Sequence, residues 1–325
     1  MNTLFATNQR ARDLASVKRL GDALEFVLKQ DEEICLAAVE KWGLALRFVK
    51  EQTREICLTA VSHWGDALEF VLEQDDEICL KAVKNWGLAL RFVKRQTKEI
   101  CLAAVRHDGG ALEFVLEQDD EICLAAVKEN GGALEFVENQ TEEICWMAVR
   151  NNCEFMKYIR NQTDAFCLEI VMRNGMALEH VRKQTPEICL AAVKQFCWAI
   201  QYVEEQTDEI CLEAVKQLGG TIRFVKNRTR EILLEAAKQE RYHTPGHTHA
   251  LSLIEQDEEL CLVAVNRRGC ALEFVNDQTF DICVTALINP VWHEHRWKVR
   301  DEKKLEMIRD LKMRETCRKH LESLS

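Results

Sequence analysis

The sequence predicts an all-α fold: an α-solenoid of about thirteen 22-residue helix–turn–helix repeats, closed by a C-terminal capping helix. Three observations lead there. A cysteine returns every 22 residues, at Cys35, Cys57, Cys79, Cys101, Cys123, Cys145, Cys167, Cys189 and Cys211, and the ladder resumes at Cys261 and Cys283. A fixed period in the twenties is the signature of a repeat array. The apolar residues around each cysteine follow helical spacing rather than strand alternation. Start and stop signals recur in step with both. Counting back from Cys35 reaches Asp13, so a first repeat precedes the ladder, and Leu233 holds the cysteine place of repeat eleven.

Each repeat is numbered here from its cysteine. Places 22, 1, 2, 4 and 5 are apolar (Ile34, Cys35, Leu36, Ala38, Val39), whereas place 3 varies through Ala37, Thr59 and Lys81. At ~100° per residue these apolar places fill an arc of roughly 200°, which describes a short helix buried on most of its circumference. Thr53, Asp75, Thr97 and Asp119 stand where an N-cap belongs, with Glu55, Glu77, Glu99 and Glu121 in the first turn. Their oxygens suit the orphan N–H groups and the positive end of the helix dipole. Pro186 falls at a first helical position, where proline is favoured. The glycine at place 9 (Gly43, Gly65, Gly87) reads as a left-handed stop residue. A second, shorter helix follows, carrying Ala45, Leu46, Phe48 and Val49. A polar turn then holds a recurrent glutamine (Gln30, Gln52, Gln74), whose amide can tie one repeat to the next. The leucine-rich horseshoe has a similar period, but glycine occupies a place where it needs leucine. One such repeat buries too little to fold alone, so stability must come from stacking on its neighbours.

The pattern Glu-Ile-Cys-Leu-Ala-Ala-Val, seen at Glu33–Val39, followed by Gly43 and by Ala45, Leu46, Phe48 and Val49, resembles the α-helical tandem repeats of domain of unknown function 4116. The resemblance covers roughly residues 10–290. It implies a helical repeat with no established activity, and by association a role in contacting a host or partner protein.

Composition narrows the function classes. The chain is 47% hydrophobic and 30% charged, with a formal net charge of −11. No apolar run of about 18 residues is present, so no transmembrane helix is expected, and the N-terminus lacks the apolar core of a signal peptide. Equivalent residues on stacked helices lie about 8–10 Å apart, beyond disulfide reach. The fifteen cysteines therefore read as buried free thiols in a reducing compartment, the cytoplasm of this cell or of a host. Residues 291–325 carry a surplus of bases, so the repeats are more acidic than the chain as a whole. That argues against binding nucleic acid through its backbone.

Residues 1–290 form the repeat domain, with an insert near 239–249, and residues 291–325 form the capping segment. Within the early repeats place 13 alternates in sign: Glu25, Arg47, Glu69, Arg91, Glu113. Two readings stand open, a row of ion pairs between neighbours or a charged recognition strip. Trp42, Trp64 and Trp86 recur just before the glycine, as a stacked aromatic column or as anchors for a partner. The insert contains Tyr242, His243, His247 and His249, and solenoid inserts often map to a binding face. With His293 and His295 these imidazoles suggest metal, but a clear fourth ligand is missing, and no cofactor or metal is assigned. Pro290 ends repeat thirteen. Residues 301–323 then read as one amphipathic helix with Leu305, Ile308, Leu311 and Cys317 turned inward, and this helix also offers a surface for self-association.

No catalytic constellation separates from the repeat background, so the chain is read as non-enzymatic. The leading expectation is a protein–protein interaction scaffold. Candidate contact residues are Trp42, Trp64, Trp86, Arg47, Arg91, Tyr242, His243, His247 and His249. The alternatives are an acidic inhibitor that mimics nucleic acid before a basic partner, and a metal-dependent enzyme built on the histidine insert.

Overall fold

The structure is a computed structural model that describes residues 2–150, 152–238, 249–289 and 305–324. The chain divides into two compact halves, Met1–Asn161 and Gln162–Ser325. Within each half an α-helix and a short 3-10 helix alternate, and like elements of successive repeats pack side by side. Among the described residues there is no strand.

The repeat beginning at Asp31 shows the local logic. Asp31 is extended and accepts a hydrogen bond from the Ile34 N–H, which starts the helix Glu32–Lys41. Thr53, Asp75, Thr97 and Asp119 start Arg54–His63, Asp76–Asn85, Lys98–His107 and Asp120–Glu129 in the same way. Pro186 is the first residue of Pro186–Gln195, as its fixed φ favours. Each helix buries most of the predicted stripe: Ile34, Cys35, Ala38 and Val39 have at most 3% exposure. Leu36 at place 2 is only half-buried, as are Leu58, Leu80 and Leu102 in later repeats.

The helix stop differs from the expectation. None of Gly21, Gly43, Gly65, Gly87, Gly109, Gly131 or Gly175 has a positive φ. The helix ends on an extended residue instead, Trp42 at φ −153°, ψ 104°. The glycine opens the following 3-10 segment, Gly43–Phe48. Its requirement is spatial. A β-carbon on Gly65 would lie 2.7 Å from the Ala82 carbonyl oxygen and 2.7 Å from Trp86 Cβ, both in the next repeat. The second segment is likewise tighter than an α-helix, with the Ala45 N–H bonded to Trp42 O at 2.9 Å and Val49 N–H to Leu46 O at 3.1 Å.

Place 8, which caps that segment, takes two kinds of residue. Asp108, Asn130, Asn152 and Asn174 accept a hydrogen bond from the backbone two residues on. Trp42, Trp64 and Trp86 make no such bond. The change from tryptophan to Asp or Asn therefore exchanges aromatic surface for a polar cap.

The glutamines join the repeats. Gln30 donates to Phe48 O at 2.9 Å and accepts from Lys50 N–H at 2.9 Å, gripping the end of the next 3-10 segment. Gln52, Gln74, Gln96 and Gln118 repeat the grip in the first half, and Gln162, Gln184, Gln206 and Gln256 in the second. The same carbonyl oxygen lies 3.4–3.9 Å from the ladder thiol that follows, as in Cys101 to Gln96 at 3.5 Å and Cys189 to Gln184 at 3.4 Å. None of the fifteen cysteines is in a disulfide. Burial pushes the thiols of Cys79, Cys123, Cys189 and Cys261 up to about 11.

The C-terminal end also departs from expectation. Residues 301–323 are not one helix: the helix is Leu311–Leu324, and Asp310 accepts from the Met313 N–H at 2.8 Å. Residues 305–309 instead supply the second segment of repeat thirteen. Gln278 donates to Met307 O and accepts from the Arg309 N–H at 2.9 Å, and Ile308 N–H bonds Leu305 O at 3.1 Å, as Val49 does to Leu46. Leu305, Ile308 and Cys317 are buried against Cys283, Ala286 and Leu287, so much of the apolar face offered for self-association is covered within the chain. At the other end, the first helix is Asn2–Arg19, which begins before Asp13.

Candidate partner-binding surface

The exposed face of the 3-10 segments carries the alternating charges. Among the described residues no ion pair joins Glu25, Arg47, Glu69, Arg91 and Glu113 to one another, so the row of neighbouring ion pairs is not formed there. The ion pairs lie at the helix starts instead. Lys98 reaches Asp119 at 2.8 Å and Glu121 at 2.7 Å. Arg10 holds Asp31 and Glu33, Arg54 holds Asp75 and Glu77, and Arg230 holds Asp257 and Glu259. The side-chain bond from Arg10 and the Ile34 N–H hold the Asp31 carboxyl below the usual carboxylate range; Ile78 N–H and then Arg54 do so for Asp75.

Arg47 and Arg91 are placed differently. The Arg47 guanidinium carbon lies 4.9 Å from the Trp42 ring centre and 4.7 Å from that of Phe48. Arg91 repeats this at 4.8 Å from Trp86 and 4.6 Å from Phe92. The rings attract the cation and fix its plane. Neither arginine has a carboxylate partner among the described residues. The intervening repeat carries Trp64, 40% exposed, with Glu69 at place 13. The three tryptophans therefore do not form a ring-on-ring column. Two are joined to arginines, and the third is open.

The same repeats present Lys50 and Lys94, whose ammonium groups reach back to the Leu28 and Leu72 carbonyls at 2.9 and 2.8 Å. Leu72 itself is 67% exposed. Arrangement of these side chains on one face was only partly legible beforehand: the alternation at place 13 was visible, but the stacking of arginine on two rings requires the 3-10 turn that brings places 8, 13 and 14 together.

The insert residues Tyr242, His243 and His247 lie outside the described residues, as do His293 and His295. His249 is described, and its placement is structural. Its Nδ1 accepts from the Leu251 N–H at 3.0 Å, capping Ala250–Leu253, and its ring stacks on Phe274 at 4.2 Å. It occupies the capping role that Asn130 and Asn174 fill elsewhere.

This architecture defines the class: an α-helical tandem-repeat protein, a solenoid in which paired short helices stack on their neighbours. The model of one family, described as domain of unknown function (DUF4116), matches the chain in tandem at residues 53–96, 97–141 and 165–207. The first two matches open at the capping residues Thr53 and Thr97, and each spans about two of the 22-residue repeats. The first match spans one charge-alternating pair, Glu69 and Arg91, whereas the second carries Glu113 and Glu135 at place 13. No curated protein and no solved structure matches the chain. No described helix is long and apolar enough to cross a membrane.

Proposed function

We propose that this protein is a non-enzymatic scaffold that binds a protein partner along the outer face of its 3-10 segments, in a reducing compartment such as the cytoplasm. One observation carries the reading: Arg47 and Arg91 are held over pairs of aromatic rings and left without a carboxylate, in a chain where Arg54 and Lys98 each bind two. Arginine and tryptophan are the residues most enriched at interface hot spots. A guanidinium already immobilised on a ring loses less freedom when a partner docks. The buried free thiols support the compartment, because an oxidising one favours cross-links between unfolded chains.

The test is affinity capture from the native cell with the full chain and with an Arg47→Gln/Arg91→Gln variant. Both arginines are exposed, so the variant should keep its far-ultraviolet circular dichroism and urea midpoint. Loss of a partner that the unmodified chain retains supports the reading. Identical partners in both captures would remove it.

A further inference from the structure

The geometry points to the chemistry of the partner: an extended acidic segment whose carboxylates are spaced to meet Arg47 and Arg91, with an apolar residue midway. This deepens the scaffold reading above and rests on it.

The argument begins with charge. The chain holds 54 acidic and 43 basic residues, so carboxylates are plentiful. Arg47 and Arg91 nonetheless stand apart from the acidic side chains and are clamped by rings on their own repeats. Lys50 and Lys94, three residues on, are tethered to the Leu28 and Leu72 carbonyls at 2.9 and 2.8 Å. Each of these repeats therefore carries two exposed, tethered cations. A planar guanidinium with its edge open takes a carboxylate in the bidentate manner.

The repeat between them sets the middle of the pattern. It presents Glu69, which repels a third carboxylate, beside exposed Leu72 and Trp64 at 67% and 40%. A neutral apolar side chain suits that rung. The spacing follows from the stack. Neighbouring repeats lie about 8–10 Å apart, and an extended chain advances about 3.3 Å per residue, so one repeat corresponds to about three partner residues. Arg47 and Arg91 are two repeats apart, which places the carboxylates about six residues apart with the apolar residue between. An extended partner fits this register because its rise matches the stack, and charge complementarity selects it over a basic or neutral one.

The experiment measures fluorescence anisotropy of labelled synthetic peptides against the full chain. The first peptide is serine-rich, with two glutamates about six positions apart and a leucine midway. The second shortens the spacing, and the third replaces both glutamates by glutamine. The first should bind at least about tenfold tighter than the others, and Arg47→Gln/Arg91→Gln should level all three. Arg47→Lys/Arg91→Lys, which keeps charge and loses the planar fork, should fall between. Equal binding of the two glutamate peptides overturns the inference, as does tight binding of the first peptide by the glutamine variant. If cellular capture depends on the arginines while the peptides show no spacing preference, the scaffold reading survives and this inference fails. If capture is also independent of them, both fail.

Discussion

Gly109 and Gly110 are adjacent in the sequence and opposite in their surroundings, which makes them a test of how the repeats pack. A β-carbon on Gly109 would lie 2.5 Å from the Ala126 carbonyl oxygen, 2.9 Å from Asn130 Cβ and 3.1 Å from Asn130 N. Two of these are backbone atoms, and the third is fixed to the backbone, so no side-chain rotation relieves the clash. The repeats holding Gly109 and Asn130 must separate instead. A β-carbon on Gly110 would meet only Asp108 Oδ1, at 3.1 Å, with Cγ at 3.9 Å. Other repeats carry Leu44, Asp66, Leu88 and Met176 at that place. Gly109→Ala should therefore cost at least about 2 kcal/mol, within the range for overpacking an interior that cannot yield. Gly110→Ala should change stability by less than about 1 kcal/mol, since the lost contact is slight and alanine reduces the freedom of the unfolded chain. Urea denaturation followed by circular dichroism gives both values. Because an array unfolds across its weakest interface, the first variant should also show a broadened or split transition. Equal effects of the two substitutions, or a neutral Gly109→Ala, would refute the idea that glycine serves close approach.

Other outcomes follow from the same geometry. Gln74→Leu strips partners from the Phe92 carbonyl and the Lys94 N–H, bonded at 2.9 Å each, and should destabilise by about 1–3 kcal/mol, with faster hydrogen exchange at Lys94. Asp31, Asp75, Asp119 and Asp257 all titrate below the ordinary carboxylate range in the folded chain. Their contribution is present above the unfolded value of about 4 and is lost as pH falls through the lower folded values. Urea midpoints should therefore decline below that pH, less steeply in Asp75→Asn; an unchanged acid slope would contradict the assignment. At pH ~8 a ladder thiol raised to about 11 is ionised on the order of once in a thousand. A thiol reagent with mass readout should then label the half-buried Cys153 and Cys270 ahead of Cys79 and Cys123.

Much of this fold is written in local signals. Caps, helical stripes and the repeat period are properties of neighbouring residues, so Asp75, Pro186 and Ile78 could be placed from spacing alone. What depends on contact between repeats was harder to read. The glycine's role belongs to Ala82 and Trp86 of the next repeat, and helix-stop statistics suggested a backbone conformation that it does not adopt. Residues 290–304 separate Leu305–Arg309 in sequence from the rest of repeat thirteen, so periodicity assigns them to a helix over 301–323, whereas the Gln278 clamp assigns them to the repeat. Some signals were present in the sequence and went unread. Arg228 replaces glutamine in the one turn that is followed by Leu233 instead of cysteine. Arginine keeps the donor half of the clamp, reaching Leu253 O at 3.0 Å, but has no oxygen to receive a thiol. Glutamine and cysteine are absent together here, and elsewhere the pair is in contact, as Cys189 is with Gln184 at 3.4 Å and Cys261 with Gln256 at 3.6 Å.

The glutamine clamp also explains why the candidate surface can vary without loss of the fold. Its partners are backbone atoms. The accepting carbonyl belongs to Phe48, Tyr158, His180 or Tyr202, and the donating N–H to Lys50, Glu138, Arg160 or Asn276, with bond lengths of 2.8–3.0 Å throughout. The side chains at these places vary while the clamp persists, although Lys50 and Arg160 add bonds of their own to the Leu28 and Glu138 carbonyls of the preceding repeat. Place 13 points to solvent one residue before the clamped carbonyl and takes no part in the clamp. Duplicating a repeat copies the clamp and the buried stripe, whereas changing Glu to Arg at place 13 rewrites the outer face and leaves both intact. A stack held by its backbone is thereby free to present a changing sequence of charges to whatever lies along it.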